Sequence, residues 1–277
     1  MQLTDGRHQE AIQSARRAIS LNPNDAEARA NLGIVLAYSG QHEGAVTAIG
    51  EAMKLNPAAP PGFRLLAGMV FYLVGDNDRA AKELEAVKAV WPNAETMQEH
   101  LAAVYAARGQ LDMARSEIAT FPDFPFFNLA SYRLSYESYM REEELTRHLE
   151  LLKAAGVPDW PFGFQGRPED LTTGVALKNL VAARTWSGSA PVGDNNNAPF
   201  MLQIDQENRV AYRSSNTFLT GMVRNENDQT CMRFEGYYKG RWLCGAIYRI
   251  NGTSPTGGNE DYVYVLPDGL RYFSVQE

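Results

Sequence analysis

Residues 26–57 read AEARANLGIVLAYSGQHEGAVTAIGEAMKLNP, and this stretch decides the fold of the first half of the chain. Two blocks of apolar and small residues flank Gly40, and Asn56-Pro57 closes the second block. That is the grammar of helix, tight turn, helix. Gly40 takes the position suited to positive φ, and the Asn-Pro pair stops the second helix. Moving outward, the pattern returns about every 34 residues. Gly6, Gly40, Gly75 and Gly109 share one phase, as do Pro23, Pro57 and Pro92. Ala11, Ala45, Ala80 and Ala114 follow the glycines at a fixed offset. Gly33, Gly68 and Ala102 supply the small positions where paired helices approach closely. Such a period predicts stacked helical hairpins.

The pattern resembles the tetratricopeptide repeat (TPR), a helical hairpin that stacks into a solenoid. The aromatic residue usual near the start of that repeat is replaced here by Arg29, Arg64 and Gln98. The first copy begins partway through its first helix, so the natural protein is expected to continue upstream. The resemblance implies a concave face lined by the first helix of each hairpin, where partner segments lie. Projected onto it are Asn31, Ile34 and Tyr38, then Leu65, Met69 and Tyr72, then Glu99 with Ala103 and Ala106. This face is apolar and aromatic. It lacks the Lys/Arg/Asn cluster that grips a terminal carboxylate. It fits a protein or peptide with an apolar segment, supplied by a partner or by the chain itself. The other reading is plain packing between repeats, since apolar patches are rarely left bare. The run FPDFPFF at 121–127 is a candidate occupant from within the chain.

Past the repeats, residues 129–140 fit a helix and 141–155 read as one, with Leu145, Leu149 and Leu152 on one stripe and an acidic first turn. DWPFGFQGRPED at 159–170 reads as a linker, and 171–184 as a short helix. The grammar then changes to strand and turn. Candidate strands are 185–188, 200–204, 210–213, 218–223, 230–234, 242–250, 262–266 and 270–275. Turn pairs such as Asn251-Gly252 and Asp268-Gly269 separate them. The expected fold is therefore a two-part α+β chain. An all-α TPR solenoid (1–125) and a helical connector with linker (126–170) lead into a small antiparallel β barrel or sandwich (171–277).

The stretch LCGAIYRINGTSPTGGNEDYVYVLPDGLRYF at 243–273, with VAARTWSG before it, resembles the module that follows repeats in some bacterial class III adenylate/guanylate cyclases. The resemblance implies a regulatory, protein-binding region of a larger bacterial signalling protein. The cyclase's catalytic domain would lie upstream of this chain, and the chain itself would not be an enzyme. The alternative is a β module that senses a small ligand, with the repeats as scaffold.

Composition supports the non-catalytic reading. The 277 residues carry a net charge of −7, which argues against a nucleic-acid or anionic-membrane binder. Residues 171–277 hold ten basic and ten acidic side chains, so the acidity belongs to the first 170 residues. No run approaches 18 apolar residues, so membrane insertion is not expected. Four His, all in the first 170 residues, and two Cys give few ligands or bases. No metal, cofactor or catalytic set is implied. His8 and His42 stand 34 apart and are equivalent repeat positions. Cys231 and Cys244 flank the turn at 237–241 on adjacent candidate strands. They fit a disulfide, two buried thiols, or a redox or metal pair. The location is accordingly cytoplasmic, or periplasmic if the two cysteines bridge. The Gly-rich segment 252–261 reads as a long hairpin loop rather than an anion or calcium site. Trp186, Trp242, Tyr237, Tyr238, Tyr248 and Tyr262 are candidates for a barrel mouth that takes an apolar ligand, or for core.

Overall fold

The structure is a computed structural model that describes residues 6–121, 127–192 and 196–276. The chain divides into two compact units, Met1–Val157 and Pro158–Glu277. In the first, helices α1 (His8–Leu21) to α7 (Leu111–Ala119) build the repeats. α2 (Ala26–Tyr38) pairs with α3 (His42–Leu55), α4 (Pro61–Leu73) with α5 (Asn77–Lys88), and α6 (Glu95–Ala107) with α7. Gly40, Gly75 and Gly109 end the first helix of each pair with φ of +77°, +85° and +74°. The next N–H in each copy reaches back five residues. Gln41 donates to Leu36, Asp76 to Phe71 and Gln110 to Tyr105, at 2.9, 2.8 and 2.8 Å. This left-handed C-cap satisfies carbonyls the helix end would otherwise leave open. The small positions serve close approach, because a Cβ on Gly68 would lie 2.6 Å from Leu84 Cγ. Asp25 and Asp76 cap α2 and α5 by accepting from Ala28 N and Arg79 N.

Two further helices, α8 (Leu129–Tyr136) and α9 (Glu142–Ala154), also belong to this unit. The expected connector 126–170 is thus split between the two units. Leu145 and Leu152 are fully buried in the same core as Leu84 and Leu101, so α9 is part of the solenoid's packing rather than a spacer.

In the second unit, α10 (Gly174–Val181) precedes eight strands: β1 (Thr185–Val192), β2 (Asn196–Ile204), β3 (Arg209–Ser214), β4 (Phe218–Glu226), β5 (Gln229–Phe234), β6 (Leu243–Arg249), β7 (Tyr262–Leu266) and β8 (Gly269–Gln276). Each strand pairs antiparallel with the next, and β1 closes on β8 through Trp186↔Val275 and Gly188↔Phe273. The result is a closed up-and-down barrel, not a sandwich. β1, β2 and β4 run longer than the sequence pattern indicates. Proline weakens a strand reading, yet Pro199 pairs with Ser189 inside the ladder.

The segment 158–170 is not a bare linker. Trp160 and Phe164 lie against Val263, Val265, Leu270 and Tyr272 on the outer face of β7 and β8. Thr172 N donates to Ile247 O at 2.8 Å and fixes the start of the module to β6. The Gly-rich loop after β6 is held by Glu260, which accepts from Thr256 Oγ1 at 2.7 Å and Ser189 Oγ at 2.9 Å.

Candidate functional site: a filled face and an open lumen

The residues projected onto the concave face do not form an open groove. Ile34, Tyr38, Met69, Tyr72, Glu99 and Ala103 are buried, Leu65 and Ala106 are half-buried, and Asn31 alone of the nine is exposed. Residues 136–148 of the same chain lie on three of them, Tyr38, Tyr72 and Glu99. Tyr139 meets Tyr38 edge-on at 5.2 Å. Tyr136 donates to Glu99 Oε1 at 2.7 Å. Tyr72 Oη and His148 Nδ1 lie 2.6 Å apart. Of the two occupants weighed for this face, a partner's segment or the chain's own, the contacts at Tyr38, Tyr72 and Glu99 come from the chain itself. The expected occupant, FPDFPFF, falls largely on residues 122–126, outside the described residues. Its two ends, Phe121 and Phe127, stack at 4.2 Å.

The sequence did carry a signal for this cover. Tyr132, Tyr136 and Tyr139 follow an i, i+4, i+7 spacing that puts three rings on one side. Aromatic rings bring the largest area per residue to such a seam. The equivalent repeat residues His8 and His42 grip the same segment, at Tyr139 O (2.7 Å) and Glu144 Oε1 (3.1 Å). His100 and His148 stand with ring centres 5.5 Å apart, both fully buried. Burial holds the His148 imidazole well below its ordinary pKa, and the charges of His100 and Arg147 push the same way.

The barrel presents the opposite case. Alternate residues face inward along each strand, so one register line runs Trp186, Leu202, Tyr212, Leu219 across β1 to β4. On the far wall Met232 pairs with Leu243, and Tyr264 with Arg271. Together they enclose a cavity of about 230 Å³. α10 lies across one end of the barrel. Gly174 N donates to Asp228 on the β4–β5 turn (3.1 Å), and Leu180 O accepts from Trp186 Nε1 (2.8 Å). Trp186 is fully buried there, stacked on Phe273 at 4.2 Å.

Polar groups gather at the other end. Asp268 Oδ2 accepts from Tyr237 Oη at 2.8 Å and from Arg271 Nη2 at 3.3 Å. The side chains of Asp268 and Arg271 are 7% and 18% exposed. Burial and the Asp268 charge raise the Tyr237 phenol above its usual range, so it stays a donor. Burial works against the Arg271 guanidinium, but Asp268, Tyr212 and Tyr237 outweigh it and keep it charged. The walls are thus mostly apolar, with one internally neutral acid–base pair at the mouth.

Of the aromatics proposed for the mouth, Trp186 and Tyr237 line the cavity. The other four do not. Trp242 lies between Arg224 and Arg233, whose guanidinium carbons stand 4.2 and 5.1 Å from its ring centre. Tyr248 packs on Phe164, Tyr238 edges against Tyr237, and Tyr262 stacks on Phe273. Asp268 and Arg271 were read from sequence only as turn and strand residues. The available signal was a charged residue at an inward position, two before Phe273. Cys231 and Cys244 are register partners on β5 and β6 and are joined by a disulfide. Alternation places them on the side of the wall opposite Met232 and Leu243. Glu226 Oε1 stands 3.5 and 3.8 Å from the two sulfurs, which as a bridge offer no thiolate to a metal.

Three helical hairpins share one phase, one C-cap and one set of small contact positions, and residues 2–68 match the tetratricopeptide repeat family. The helical unit is thus TPR-like, with the family match itself confined to residues 2–68. Solved structures that resemble the chain include MamA, at 18% identity over 56% of this chain and 90% of that chain, with a TM-score of 0.39. A thermophilic TPR protein of Thermus thermophilus is 21% identical over 55% of this chain and 76% of that chain, with a TM-score of 0.39. A tetratricopeptide repeat protein from Parabacteroides merdae is 18% identical over 54% and 65%, with a TM-score of 0.38. No curated protein matches the chain. Among the described residues, no helix is long and apolar enough to cross a membrane.

Proposed function

We propose that this chain is a non-catalytic binding protein in which the barrel takes up a small, largely apolar molecule and the TPR unit docks on another protein. The observation that carries the first half is the cavity of about 230 Å³ inside a closed barrel. Eight-stranded barrels are wide enough to hold one small ligand. An apolar cavity of roughly 150 Å³ already holds benzene. Ligand sites typically pair apolar walls with a few converging polar groups, as Tyr237, Asp268 and Arg271 do here.

Protein binding is what the repeats support. Since the concave face is filled, the partner is expected on residues that remain exposed. Leu21, Leu55 and Val90 occupy equivalent places, two before each repeat proline, and are exposed together with Trp91. The disulfide favours an oxidising compartment. The finer reading, a regulatory region of a class III cyclase, rests on the resemblance of residues 243–273.

The lumen reading is tested by thermal unfolding of the full chain with toluene as probe. Binding raises the midpoint by mass action. Leu219→Trp, which fills the cavity, abolishes the shift. If neither toluene nor any similar single-ring compound shifts the midpoint of the wild type at millimolar concentration, the reading fails.

A further inference from the structure

We infer that the molecule taken up by the lumen carries a neutral hydrogen-bond donor, a hydroxyl or ring N–H, and gives it to Asp268 Oδ1; this rests on the lumen being the binding site. The Asp268 carboxylate is used on one side only. Oδ2 accepts from both Tyr237 and Arg271. Oδ1 is buried, and no donor among the described residues reaches it. A carboxylate oxygen kept from water without a partner is costly, and the cost is removed when a ligand supplies the missing N–H or O–H. Asp268 lines the cavity; Oδ1 itself is sealed from the cavity space, so a ligand inside meets it once the carboxylate turns toward the lumen.

Charge decides what kind of donor fits. Arg271 already balances Asp268, and its Nη1 donates to Leu270 O at 3.1 Å. A cationic ligand would bring a second positive charge beside the guanidinium. An anionic one would face the carboxylate. Either would have to shed its water to enter, with no unpaired charge to meet it. A neutral donor satisfies Oδ1 and leaves the pair intact. The size of the cavity and the rings of Trp186, Phe200 and Tyr212 on its wall fit a single ring with a short substituent.

The experiment is calorimetric titration of the full chain with four single-ring probes: 4-methylphenol, toluene, 4-methylbenzoate and benzylamine. The inference predicts that 4-methylphenol binds about tenfold or more tightly than toluene and more tightly than either charged probe. It also predicts that the double variant Asp268→Leu with Arg271→Met erases the preference, to within about threefold. Replacing both members of the pair leaves neither charge buried alone. If that variant fails to fold, the ranking in the wild type still decides. Equal binding of 4-methylphenol and toluene, with both lost in Leu219→Trp, overturns the donor and leaves the lumen reading standing. Tightest binding of a charged probe, or a preference that survives in the double variant, also overturns it. If no probe binds at millimolar concentration, the lumen reading falls and the inference falls with it.

Discussion

The concave face of the TPR-like unit and the barrel lumen are both hollow surfaces lined with aromatic rings, yet one is filled and the other keeps space. On the TPR face, Tyr132, Tyr136 and Tyr139 come from a segment later in the same chain and lie among Tyr38, Tyr72 and His148 at ring separations of 4.3 to 6.4 Å. In the barrel, every strand contributes inward side chains, but the polar ones at the mouth hold each other rather than the opposite wall. Aromatic content alone therefore does not distinguish a binding surface from a core. What distinguishes them is whether a later segment has the spacing to cover the surface.

The largest effect expected from breaking this contrast is in α9. Leu152→Asp places a carboxylate in a fully buried site and is expected to cost about 4 kcal/mol. Chemical denaturation followed by circular dichroism should show the helical unit destabilised as a whole. If instead α1–α7 melt unchanged while only α9 is lost, the segment is a removable plug and the face is a groove after all. Next comes the barrel. Replacing Cys231 and Cys244 by Ser opens a loop of sequence separation 13 and is expected to cost about 3 kcal/mol in the barrel's unfolding. Two transitions in a calorimetric scan would separate this from the helical unit, which should not move.

Smaller effects sharpen the filled side. Tyr72→Phe removes the hydroxyl beside His148 Nδ1 and should cost about 1.5 kcal/mol by equilibrium denaturation. The pH dependence has a definite sign. The folded His148 binds a proton less readily than the unfolded chain does, so the unfolded state gains protons first on acidification. Stability is complete above about pH 6.5 and falls below it, by at most about 1.4 kcal/mol per pH unit for this one group. His148→Phe should flatten that slope; an unchanged slope would assign it to other groups.

Much of the fold was legible because it rests on local signals. Gly40, Gly75 and Gly109 announce the helix ends, and Asp268-Gly269 and its like announce the strand turns. All eight strands lie where alternation and turn pairs put them, with β1, β2 and β4 longer than read. The site was less legible, because it depends on register around a closed sheet. Asp268 and Arg271 become a mouth only once β8 closes on β1 and turns Arg271 inward beside Tyr264. The cover on the TPR face was hidden for a related reason. Tyr132, Tyr136 and Tyr139 meet residues far back in the chain, and periodicity shows that they share a face without showing what the face meets.

The central claim is that ligand uptake belongs to the lumen and not to the TPR face. The most direct measurement is a nuclear magnetic resonance titration of the isotope-labelled full chain with 4-methylphenol. The account predicts shifts at the Trp186 indole N–H and at Leu202, Leu219 and Arg271, with Tyr38, Met69 and Tyr72 unmoved. Shifts confined to Tyr38, Met69 and Tyr72, with the Trp186 indole silent, would contradict it.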